Sequence, residues 1–353
     1  MRILILTAAL NGGSATAADA LAEQLEKLNI GCEILDVLSL FSEKDARVRI
    51  PKRYAKACEK EDHKQEHLLS ELSIKGAAPL HEKLLVEPFD VIISTHVFAS
   101  MTVTWARQKF GVATPHYFVA TDYTCPPGVS EITVDGCFLA HGMLYGDFVR
   151  SAVTAEKLLA SGIPLPAHFY EVLEKNAARE ALDLPLDRRL ILLNCAGTVD
   201  RKTSKRVECF LELLPKDCLV VVLCGRNEAL ANRLLRLEGD RLNVERETRR
   251  MHLYLSAADV YLTPPVGLSV AEGMAKRIPI VLIHGALRGY ERSNFTFLTA
   301  QGVADFAPTP RHAAKATAAL LSSEELVASR REAMENIMPP VAADQICRYI
   351  LKH

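Results

Sequence analysis

Residues 259–294 read DVYLTPPVGLSVAEGMAKRIPIVLIHGALRGYERSN. The order of local signals in this stretch decides the fold. Residues 260–262 are a short apolar run that predicts a buried strand. Residues 263–267 form a loop punctuated by Pro264, Pro265 and Gly267. Ser269 is placed to cap a helix over 270–276. Residues 278–283 predict a second buried strand, followed by a loop that carries Arg288, Glu291 and Asn294. Strand, helix and strand in this order define a βαβ unit of a parallel sheet. A helix N-terminus after a tight loop offers free N–H groups and a positive dipole end, which suits a diphosphate. Glu272, one turn further, is placed to accept hydrogen bonds from a ribose diol. The same pattern also fits a βαβ unit that binds nothing.

Working outward, the plan repeats. In the first half, strands are predicted at 2–7, 32–37, 91–94, 117–121 and 136–140, with a helix at 14–28. The second half restarts with a strand at 190–194, a helix at 204–214, a strand at 219–224 and a helix at 228–237. Strands alternating with helices imply a mostly parallel, doubly wound sheet in each half. The Pro-containing run 162–166 reads as the linker. This gives a first Rossmann-like domain over 1–160, a second over 161–335, and a C-terminal helix within 336–353. Two such domains are expected to face one another across a central cleft lined by the C-terminal ends of both sheets.

The 353 residues suffice for two domains, and 49% are hydrophobic, enough for two cores. Charged residues make up 24% and the net charge is −1. That balance argues against a nucleic-acid partner. The nine cysteines contain no C-x-x-C pair, so they read as buried thiols of a reducing cytosol rather than a disulfide framework or zinc site. The apolar N-terminus is too short for a signal peptide, and no apolar run approaches the ~20 residues of a membrane span.

The motifs resemble those of the monogalactosyldiacylglycerol synthase and processive diacylglycerol glucosyltransferase family, which has the GT-B fold. The family pattern is roughly A-D-x-x-x-T-K-P-G-G-L-T-x-x-E-A, then G-x-P and P-G-Q-E-x-x-N. Ala258, Asp259, Thr263, Pro265, Gly267, Leu268, Ser269, Glu272, Pro279, Gly289, Glu291 and Asn294 fit it, whereas Pro264, Val266 and Tyr290 depart from it. The segments 5–21, 91–96 (VIISTH), 121–123 (TDY), 161–164 (SGIP) and 224–227 (CGRN) resemble further family motifs in the same order. Ser14 stands where the family carries its loop histidine. The run 194–200, NCAGTVD, keeps only Gly197 of a glycine-rich turn.

The resemblance implies an inverting transfer of a hexose from a UDP-sugar to a lipid, diacylglycerol-like acceptor, with no cofactor or metal required. It also implies a protein attached peripherally to the cytoplasmic face of the membrane. A catalytically degenerate relative that binds a nucleotide-sugar or partner without turnover fits the same departures. A 2-epimerase shares the fold, but the TDY segment weighs against it. The donor side would be formed by Gly13, Gly197, Gly225, Asn227, Thr248, Met251, Gly267, Leu268, Ser269, Glu272, Glu291 and Asn294. Arg226 and Arg249 read as diphosphate contacts or as surface residues. For the catalytic base, Ser14 is a poor proton acceptor. His96 reads either as the base or as a turn-capping histidine, and Asp122 either as a second base or as a loop-organising carboxylate. His116, near a strand start, reads as structural. Arg49, Lys52, Arg53 and Tyr54 lie where the family meets acceptor and membrane, and basic plus aromatic residues suit an anionic surface. A solvated helical face fits them equally well.

Overall fold

A computed structural model describes residues 1–10, 12–60, 63–196, 202–283, 289–339 and 341–353. Contacts divide the chain into two units: 1–167 with 288–293 and 339–353, and 168–287 with 294–338.

The first unit contains β1 (Arg2–Thr7), α1 (Gly12–Lys27), β2 (Gly31–Asp36), α2 (Ile50–Lys60), α3 (His63–Val86), β3 (Val91–Ser94), α4 (Val97–Phe110), β4 (His116–Val119), β5 (Gly136–Leu139), α5 (Tyr145–Arg150) and β6 (Leu158–Ala160). Its six strands are all parallel, in the order β2-β1-β3-β4-β5-β6. Ile3 to Leu6 are fully buried because helices cover both faces of a central parallel strand. The second unit contains α6 (Lys175–Ala181), β7 (Arg189–Asn194), α7 (Thr203–Leu213), β8 (Cys218–Leu223), α8 (Glu228–Leu234), β9 (Leu242–Glu245), α9 (Met251–Ala257), β10 (Val260–Thr263), α10 (Gly267–Ala275), β11 (Ile280–Ile283), α11 (Gly289–Ala300) from Asn294 onward, β12 (Ala304–Ala307), α12 (Pro310–Ser322) and α13 (Glu324–Ile337). Its parallel order is β12-β11-β10-β7-β8-β9. A last helix, α14 (Ala342–Lys352), joins the first unit.

In each sheet the order reverses at one point, between β1 and β3 in the first unit and between β7 and β10 in the second. A crevice opens there, because the flanking connections leave toward opposite faces. Both candidate sites lie at these points.

The boundary drawn at 160 from sequence falls instead after Ala167. The backbone N–H groups of Ser161 and Gly162 donate to the Leu139 carbonyl, and Ile163 and Leu165 are buried, so the linker extends the edge of the first sheet. Gly162 has φ +86°, and a Cβ there would lie 2.6 Å from Pro339. The amphipathic α14 buries Ala343, Ile346, Cys347 and Ile350 in one core with Ala18, Leu21 and Leu25 of α1. Gln24 also donates to Asp344 at 2.7 Å.

Candidate functional site

In the second unit the helix after β10 begins earlier than its sequence suggests. Val266 is its N-cap and makes no side-chain cap, so Ser269 lies inside the first turn. The reason is Asn194, at the end of β7. Its Nδ2 donates toward Tyr261 Oη at 3.1 Å, Ser269 Oγ at 3.4 Å and Thr263 Oγ1 at 3.5 Å. Ser269 therefore serves as an acceptor inside a buried polar network. Gly267 and Leu268 are buried beside it.

Glu272 follows one turn later on the buried face of α10, four residues after Leu268. Gly273 brings the helix close to the sheet: a Cβ there would stand 2.9 Å from Ile280 and 3.0 Å from Tyr261. The Glu272 side chain is 8% exposed. Its carboxyl makes no hydrogen bond or ion pair among the described residues, and burial pushes its pKa up to about 8. A buried carboxyl without a partner at a switch point marks a site awaiting hydroxyl or amine donors.

Asn294 and Glu291 sit on α11 rather than in a loop. Asn294 is fully buried and donates to the Pro265 carbonyl at 3.1 Å, tying α11 to the loop before α10. Glu291 is half-buried and falls in the segment 288–293 that groups with the first unit. Gly225 (φ +56°) and Asn227 follow β8, and the Asn227 side chain caps α8 through the Leu230 N–H at 3.0 Å. Thr248 Oγ1 accepts from the Arg250 N–H at 3.0 Å just before Met251 opens α9. These four residues belong to the β8–β9 side of the sheet. Arg226 pairs with Glu247 at 2.8 Å and Arg249 is exposed. Gly197 and Arg288 lie outside the described residues.

In the first unit, Gly13 and Ser14 are buried in the first turn of α1. Ser14 Oγ donates to the Ala8 carbonyl at 3.0 Å and accepts from Thr7 Oγ1 at 3.1 Å; Thr95 Oγ1 donates to the Ser14 carbonyl at 2.8 Å. The hydroxyl thus ties β1, α1 and the end of β3 together, and its proton is committed.

His96 caps α4: its Nδ1 accepts from the Phe98 N–H at 3.1 Å. That bond assigns the proton of the neutral ring to Nε2. Nε2 is buried and without a partner among the described residues, and the ring packs on Tyr54 with centroids 4.8 Å apart. Burial pushes the His96 pKa down to about 3. The sequence offered His96 as a base or as a turn-capping histidine. The turn-capping alternative holds, and what the ring presents is a donor. Asp122, just past β4, is nearly buried. His116 is structural: fully buried, it pairs with Ser94 Oγ at 2.9 Å, and burial lowers its pKa to about 4.

The basic segment splits by face. Ile50, Tyr54, Ala57 and Cys58 form the buried stripe of α2. Tyr54 is therefore corrected from surface to core, because it falls one turn after Ile50. Lys52 is exposed, Arg49 pairs with the buried Asp45 at 3.1 Å, and Arg53 donates to Gln65 at 3.0 Å. Among the described residues, no helix is long and apolar enough to cross a membrane, and no cluster of His, Cys, Asp and Glu is arranged to hold a metal.

With this geometry in hand, similar proteins can be set beside it. The sequence profile of the monogalactosyldiacylglycerol (MGDG) synthase family matches residues 38–165. A processive diacylglycerol beta-glucosyltransferase of Bacillus cereus is 27% identical over 279 residues, covering 78% of this chain and 71% of its own. MurG of Acinetobacter baumannii superposes over 100% of both chains with a TM-score of 0.66 at 14% identity. S. aureus MnaA, solved with UDP, gives a TM-score of 0.69 over 99% of this chain and 95% of its own, at 14% identity. The fold is that of the GT-B class. Within that class the chain is similar to the MGDG synthases over residues 38–165 and to the processive diacylglycerol glucosyltransferases over 78% of its length, the likeness its motifs carry.

Proposed function

We propose that the chain is a UDP-sugar-dependent hexosyltransferase acting with inversion on a diacylglycerol-like lipid at the cytoplasmic face of the membrane. The observation that carries this reading is Glu272, a buried carboxyl without a partner among the described residues, one turn into α10. A ribose diol supplies the two O–H donors such a group lacks. The N–H groups of the first turn of α10 would meet the diphosphate, where a helix N-terminus favours negative charge. The names of the relatives, diacylglycerol glucosyltransferase and MGDG synthase, support the acceptor class.

In the transfer, the acceptor oxygen forms a bond to the anomeric carbon as the bond to the UDP oxygen breaks, and UDP leaves with the electron pair. The proton of the acceptor hydroxyl needs a base. Ser14 and His96 both present hydrogens that make them poor acceptors, which leaves Asp122 as the base in this reading. His96 Nε2–H would then serve to orient an oxygen. Lys52 and the exposed guanidinium of Arg49 would face anionic lipid, worth about 1 kcal/mol per charge near the surface.

The test is UDP release with diacylglycerol in mixed vesicles. Glu272→Ala should lower it by roughly a hundredfold, and unchanged turnover would remove the donor site as drawn. A second reading, nucleotide-sugar binding without turnover, is favoured by the committed hydroxyl of Ser14. Calorimetric binding of UDP-glucose without UDP release, across acceptor lipids, would select it.

A further inference from the structure

We infer that Asn194 is a positioning residue for the donor site: its side-chain amide ties the turn leaving β7 to the first turn of α10, and so sets where the N–H groups of that helix and Glu272 stand. The inference rests on the donor-site reading above.

The amide works from both ends. Oδ1 accepts from the Ala196 N–H two residues on, at 3.0 Å, closing an Asx turn at the start of the connection. Nδ2 has two hydrogens and faces three oxygens, those of Tyr261, Thr263 and Ser269. Ser269 is the third residue of α10, whose N-cap offers no side chain. Burial, and after it the charge of the Glu272 carboxylate, raises the pKa of the same Tyr261 phenol, so the phenol couples to both groups. The turn has no slack on its other side. Gly225 holds φ +56°, and a Cβ there would come within 3.0 Å of the Ala196 Cβ. A tight phosphate-binding turn usually gains its shape from glycine, which supplies backbone freedom. Here a side chain holds the first residues of the connection, 194–196, where glycine would otherwise supply the freedom.

The experiment is a double-mutant cycle on the full chain with Asn194→Ala and Ser269→Ala, read by UDP calorimetry and by amide hydrogen exchange over 267–270. Asn194→Ala should weaken UDP about tenfold and speed exchange in the first turn of α10, as expected when a network bond of this kind is lost. Ser269→Ala should do the same to a smaller degree. The double variant should be no weaker than Asn194→Ala, because the two act through one bond. Additive losses would mean that Ser269 meets the ligand directly, and would overturn the tie. UDP affinity unchanged in a folded Asn194→Ala variant would overturn it as well. Should Asn194→Ala fail to fold, Ser269→Ala alone decides: the half-buried serine can be removed, and unchanged exchange over 267–270 sinks the proposal. A wild-type chain that binds no UDP overturns the donor-site reading itself, and this role with it, before any variant is compared.

Discussion

The two switch points share one topology but hold their polar groups in opposite states. At the end of β1 and β3, the Ser14 hydroxyl and His96 Nδ1 are consumed by backbone partners, and the remaining His96 nitrogen is a buried donor on a ring packed beside Tyr54. At the end of β7 and β10, the surrounding amide and hydroxyls are satisfied while Glu272 has no partner among the described residues. Strand order alone therefore creates a place for a ligand, and the hydrogen-bond inventory shows which place is waiting for one. Among the described residues, the second unit is short of donors at Glu272, and the first offers one buried donor at His96.

The contrast breaks most directly at Glu272. Replacement by alanine should lower UDP-sugar-dependent turnover by roughly a hundredfold, the scale of losing hydrogen bonds to a buried charged group. His96→Gln, which keeps a donor, should cost no more than about tenfold in kcat. Equal losses at both positions would erase the distinction between the two sites.

Next comes pH. Below about 8 the Glu272 carboxyl is protonated, whereas a diol that donates to it prefers the carboxylate. UDP affinity should therefore rise from pH 6 to 9 and release a proton near pH 7, visible as a buffer-dependent heat; Glu272→Gln should flatten both. The same group has a linked effect on stability. Its folded pKa is raised above the ordinary 4.5, so the stability it contributes is fully present below 4.5 and is lost as pH rises through 8. Glu272→Gln should accordingly melt higher than wild type at pH 9, by roughly 4 °C, and show no gain at pH 4.

The histidines of the first unit run the other way. His96 and His116 are held neutral, their folded pKa values lowered to about 3 and about 4. Their contribution to stability is present above 6.5 and is lost as pH falls toward those values. Nitrogen NMR should find His96 as the Nε2–H tautomer throughout pH 5 to 8, and the turnover profile should show no limb near 6.5 from this ring. A ring titrating near 6.5 would restore it as a base.

The smallest effects belong to α2. Reversing Lys52 and Arg49 should weaken binding to anionic vesicles by several-fold in a salt-dependent way. Tyr54→Ala should instead lower the melting temperature, since the ring is core.

Much of this was legible in the residues. The run 259–283 announced strand, loop, helix and strand, and Glu272 could be placed one turn into the helix because helical spacing is local. The repeated plan gave two parallel sheets. The start of α10 was misread because Ser269 looks like a cap in sequence, whereas its oxygen is taken by Asn194, seventy-five positions earlier in the chain. Asn194 itself looked only like a missing glycine. The one local hint was an asparagine two residues before an N–H it could accept. Tyr54 resembled a surface aromatic among basic residues, and its four-residue spacing from Ile50 was the overlooked sign of burial.

The chain by itself determined its periodicities, its turns and the order of its elements, because these depend on neighbours within a turn or a strand. It also carried the motifs that relate it to glycolipid-forming enzymes. Only the tertiary structure decided which polar atoms are spent and which remain. Hydrogen bonds at the switch points join residues dozens of positions apart, and burial is a property of the packed sheet and helices, so neither the tautomer of His96 nor the lone carboxyl of Glu272 can be read along the chain.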